Sequence, residues 1–97
     1  MTITEKTIET LEKKGFNRWT KAGMDRLYIN ANSLGLKCEY HKTGNIRAAW
    51  FGENSISNSE ARRMKCSKTY IDIATGMVIS DDEWLKKAAE TILAEAM

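Results

Sequence analysis

Leu36, Cys38 and Tyr40 alternate with Lys37, Glu39 and His41, the period of a strand with one buried face. The same period returns at Ile46, Ala48 and Trp50. Between the two runs lies Thr43-Gly44-Asn45, which is turn chemistry, so a hairpin is predicted, with the strand over 46–51 and Trp50 in the core. An earlier hairpin is predicted over 16–30, with arms 16–20 and 24–30 around Lys21-Ala22-Gly23. In its second arm Leu27 and Ile29 face one way, and Arg26, Tyr28 and Asn30 face the other. Asn32-Ser33-Leu34-Gly35 reads as a helical turn closed by glycine, and 70–79 as a last hairpin or bent strand with Thr75-Gly76 at its turn.

Helical spacing appears in three places. Residues 2–14 carry Ile8 and Leu11 and can be capped by Thr2 or Thr4, with Thr2-x-x-Glu5 as a capping box. Gly15 is placed to end that helix, with Phe16 folding back on Leu11. A second helix over 58–67 follows the capping box Ser57-x-x-Glu60, with Ile56 and Ala61 at staple spacing. The third, over 81–96, has Leu85, Ala88, Ala89, Ile92, Leu93 and Ala96 on one stripe and Ser80-x-x-Glu83 as its capping box. This order predicts a single α+β domain over 1–97: a mainly antiparallel sheet of four to six strands with helices packed on one face.

Composition narrows the function. Apolar residues make up 42% of the 97, enough for a core, and no run is long enough for a membrane span. No secretory layout opens the chain, which points to the cytoplasm. Cys38 and Cys66 are too few for a disulfide scaffold, and one histidine without a Cys-x-x-Cys argues against structural zinc. Net charge is +2, but residues 16–70 hold ten Lys or Arg against four acids, +6, while 71–97 hold two against six, −4. Two readings stay open: an anionic partner meets the basic middle, or the two parts neutralise each other across the fold.

Catalytic chemistry finds little footing. Neither a phosphate-binding glycine loop nor a nucleophile elbow is present. Cys38 and His41 stand three apart on a strand, so their side chains point to opposite faces. Asp81, Asp82 and Glu83 read as helix-start acids. The expectation is therefore no enzyme, no cofactor and no metal. Binding has more material. Arg62, Arg63, Lys65 and Lys68 crowd one short helix whose inward pair is Ala61 and Met64. Half of that signal is explained by cations favouring a helix C-terminus. Arg18, Lys21, Arg26 and Arg47 lie on or beside strands, and Arg26 shares a face with Tyr28. Arginine beside exposed aromatics (Tyr28 and Trp19 are the candidates) is how sheets hold single-stranded nucleic acid. The candidate partner-binding set is Arg18, Lys21, Arg26, Tyr28, Arg47, Arg62, Arg63 and Lys65.

The run Arg18-Trp19-Thr20-Lys21-Ala22-Gly23-Met24-Asp25-Arg26-Leu27-Tyr28-Ile29-Asn30, with Leu34-Gly35-Leu36, Thr43-Gly44-Asn45-Ile46 and Ile56-Ser57-Asn58, resembles small bacterial and phage proteins carried by mobile elements. Proteins of this style include anti-CRISPR inhibitors of host nucleoprotein effectors. The resemblance implies a non-enzymatic inhibitor whose partner is a host effector protein or ribonucleoprotein. The alternative is a regulatory domain that binds RNA or DNA directly.

Overall fold

The computed structural model describes residues 3–97. The chain is α+β: α1 (Glu5–Lys13), β1 (Asn17–Lys21), β2 (Met24–Ile29), α2 (Ala31–Leu34), β3 (Leu36–Tyr40), β4 (Ile46–Phe51), β5 (Asn54–Ile56), α3 (Asn58–Cys66), β6 (Thr69–Asp72), β7 (Val78–Ser80) and α4 (Glu83–Ala96). The strands divide between two antiparallel sheets, ordered β1-β2-β6-β7 and β3-β4-β5.

Local chemistry explains most boundaries. Thr4 caps α1, its hydroxyl accepting from Thr7 N at 3.3 Å; the capping box on Thr2 lies outside the described residues. The helix ends as its spacing predicts. Phe16 N donates to the Leu11 carbonyl and Gly15 N to that of Glu12, which folds the buried Phe16 onto the core. Ala22 and Gly23 both take positive φ, the two-residue turn that matches strand twist. Ser57 caps α3 by accepting from Glu60 N at 3.1 Å. A strand not predicted, β5, arises because Gly52 at φ 61° turns the chain in two residues and lays 54–56 against β4.

Two expectations are corrected. Ile46, Ala48 and Trp50 do not share the core face. Tyr40 pairs with Ile46 and Glu39 with Ala48, so Arg47 is an extra residue that breaks the alternation. Beyond this bulge Ala49 turns inward at 1% exposure, while Trp50 stands half-buried beside Lys37 and Ser55. Asn58 anchors α3 here through a 2.9 Å bond to the Ile46 carbonyl. At α4 the cap is Asp82, not Ser80. Its Oδ1 accepts from Trp84 N (2.9 Å) and Leu85 N (3.1 Å), while Ser80 Oγ bonds Thr69 and Asp82 N.

In the larger sheet Leu27, Ile71 and Val78 form one cross-strand row and are buried. α4 packs on β6 and β7 and against α1, so Leu85, Ala89 and Leu93 join the same core. In the smaller sheet Leu36, Ala49, Phe51 and Ile56 face inward, against α2 and α3. Among the described residues no helix is long and apolar enough to cross a membrane.

Candidate interaction surface

With Leu27, Ile29 and Ile71 turned to the core, period two sends the intervening side chains of β1, β2 and β6 to the opposite face. Tyr28 stands across from Asn17 and Tyr70, and Tyr70 across from Ile79. Trp19 stands across from Arg26, and Arg26 across from Asp72. The helices occupy the inner face, so this one is open: Trp19 is 40% exposed, Met24 38%, Ile79 40% and Met77 62%. Exposed apolar side chains gathered on one face are a feature of interaction sites rather than of ordinary surface.

At its centre the groups order one another. The Arg26 guanidinium lies over the Tyr70 ring, 4.3 Å from its centroid, and its Nη1 donates to the Tyr28 hydroxyl at 3.0 Å. The two tyrosine rings are 5.1 Å apart, and Trp19 meets Tyr28 edge-on at 6.3 Å. The hydrogen bond to Tyr28, more than any other contact, raises the Arg26 pKa. Three aromatic rings and one planar cation are thus held in place, with low entropic cost for a partner that stacks on them.

The candidate residues named from sequence separate. Lys21, Arg26 and Tyr28 lie on this open face. Arg18 points the other way: its guanidinium meets Asp25 at 2.7 Å and Glu5 at 3.1 Å, and both acids raise its pKa. Arg47 is ion-paired with Glu39 on the smaller sheet. Arg63 reaches Glu60 at 3.5 Å and Asp82 at 3.9 Å. Lys65 donates to the Tyr40 hydroxyl and sits 4.7 Å over its ring, a contact that raises its pKa. Arg62 lies with Lys65 beside a shallow pocket that also includes Tyr40, Asn45 and Ile46. The basic residues therefore do not form one patch. Sequence reasoning left out Tyr70, although Ile71 and Ile73 at period two place Tyr70 and Asp72 outward. Cys38 packs against the core and His41 is exposed at the turn.

Comparison with protein-family models gave no match. The searches of curated proteins and of solved structures gave none either.

Proposed function

We propose that the chain is a non-enzymatic interaction protein of the mobile-element type, an anti-CRISPR-like inhibitor that binds a host nucleic-acid-targeting effector through the open face of the larger sheet. One observation carries this reading: Trp19, Met24, Arg26, Tyr28 and Tyr70 share that face, and among the described residues the helices pack on the other one. Trp, Tyr, Met and Arg are the residues enriched at interface centres, and Trp, Tyr and Arg dominate binding hot spots. The basic middle supports the reading less than its net charge suggests, because Arg18, Arg47 and Arg63 are paired within the chain. The test is affinity capture with the wild-type chain and with Trp19→Ala/Tyr70→Ala, each with and without nuclease, followed by an activity assay of any effector recovered. The expected result is an effector that the wild type retains and inhibits and the variant does not. Capture of neither effector nor nucleic acid removes the proposal.

A second reading, direct binding of single-stranded RNA or DNA, is favoured by the Arg26–Tyr70 stack beside Tyr28 and Trp19. A base can stack on such rings whatever its sequence. Purified chain should then shift naked oligonucleotides and lose them as salt rises. A protein-directed inhibitor leaves them unshifted.

A further inference from the structure

Four strands form the sheet edges: β1 and β7 in the larger sheet, β3 and β5 in the smaller. Unpaired edges invite pairing with another chain, and soluble proteins blunt them with charge, bulges or brevity. β1 carries Arg18 and Lys21, β3 carries Lys37 and Glu39 and runs beside the bulge at Arg47, and β5 is three residues long and opens with Asn54 and Ser55. β7 is as short as β5 but reads Val78-Ile79-Ser80 after Met77, without charge and apolar where β5 has Asn54 and Ser55. Asp72 N donates to the Met77 carbonyl at 2.9 Å, so alternation turns the amide and carbonyl of Val78 away from β6. Beside this edge runs a groove of about 410 Å³ between β7 and α4, lined by Met77, Val78, Lys86, Glu90, Leu93 and Met97. Met77 and Met97 on its lining are 62% and 58% exposed, and Ile79, on the other side of the same edge, is 40% exposed.

From this we infer that β7 pairs antiparallel with β7 of a second copy, joining two four-stranded sheets into one of eight. The occupant is a second copy because the surface is self-complementary in charge. Lys86 and Glu90 stand four apart on the α4 rim of the groove, and among the described residues neither forms an ion pair within the chain. A two-fold axis sets the two α4 helices antiparallel, so Lys86 of each faces Glu90 of the other. The methionines of each copy fill the other's groove. Met77 and Ile79 also lie at the border of the open face, away from Trp19 and Arg26, so the pairing sets two such faces side by side.

Sedimentation velocity, with reductant present because Cys66 is exposed, tests it. The chain should show a reversible monomer–dimer equilibrium at concentrations up to about 100 µM. Met77→Lys/Ile79→Lys should abolish the dimer. Lys86→Glu should weaken it about three- to tenfold, since each reversal counts twice under the two-fold. Lys86→Glu/Glu90→Lys should restore it. A chain that stays monomeric overturns the inference and leaves the edge to a strand of another protein. A dimer indifferent to Met77→Lys/Ile79→Lys, or a double charge swap no better than the single, overturns it too. Circular dichroism melts establish that each variant is folded.

Discussion

Replacing Asp82 by alanine tests how the longest helix is held to the sheets. The side chain is 7% exposed, and its Oδ1 accepts from the amides of Trp84 and Leu85. Losing a helix cap costs about 1 kcal/mol. Leu85 is fully buried, so its amide cannot turn to water instead, and an unsatisfied buried donor adds about 1 kcal/mol more. The sum of about 2 kcal/mol corresponds to a fall of roughly 8–16 °C in Tm for a domain of this size. Asp82→Asn keeps an accepting oxygen and loses the charge that favours a helix N-terminus, a cost of about 0.5 kcal/mol. Ser80→Ala removes a 2.9 Å bond to Thr69 and one to Asp82 N, about 1 kcal/mol together. Thermal melts followed at 222 nm and urea titrations of the three variants give the order. If Ser80→Ala proves the most costly, the helix starts where its capping-box spacing places it and the assignment to Asp82 fails.

Three further outcomes follow from the same geometry. The hydrogen bond from Arg18 holds the Asp25 carboxyl below its ordinary pKa, so the pair stabilises the fold above about pH 4 and ceases to do so as pH falls through the folded value. Arg18→Ala should therefore lower Tm at pH 7 and make progressively less difference toward pH 2, whereas an equal loss at both ends contradicts the pairing. Ala22 sits at φ 51° at a position where asparagine is favoured; Ala22→Asn should raise stability by about 0.5–1 kcal/mol in a urea titration. Leu27→Ala, at a fully buried position, should cost about 2–5 kcal/mol, while Trp19→Ala on the open face should cost under about 1.5 kcal/mol, the worth of its ring contact with Tyr28.

Much of the fold was legible because the signals were local. The Leu11–Phe16 turn and the Ser57 cap depend on residues within a few positions of one another and form as read; the first hairpin forms where its pattern places it, but with a two-residue Ala22-Gly23 turn, Lys21 pairing with Met24 instead of lying in the loop. What failed was non-local or ambiguous at short range. The bulge at Arg47 depends on how β3 and β4 align, and nothing in a period-two count announces an extra residue. Once it is present, Ala49 and not Ala48 follows Ile46 into the core, and Trp50 leaves it. Ser80 and Asp82 both precede α4 with capping chemistry; Thr69 across the sheet captures the serine and leaves the aspartate to cap. The division into two sheets rests on β2 pairing with β6 across about 40 residues of chain, beyond any local signal.

The candidate site shows the same division, and it alters what binding there should look like. A net charge of +6 over residues 16–70 is a count along the chain, whereas a binding surface is made in space. Folding brings Glu5 to Arg18 and Asp82 to Arg63, acids from outside that segment, and so removes two of its cations from service. The strands of the open face keep two, Lys21 near its rim and Arg26 over the Tyr70 ring, with Asp72 opposite Arg26. Binding there must then depend on stacking and apolar contact more than on the long-range field. For single-stranded nucleic acid this sets a limit. Two phosphate contacts at a slope of about −0.7 each give a log–log salt dependence near −1.4. Gel shifts or Trp19 fluorescence titrations across a salt series measure that slope. A value steeper than about −3 would require more than four phosphate contacts, more cations than the face carries, and would move the nucleic-acid site to Arg62, Lys65 and their neighbours on the other sheet.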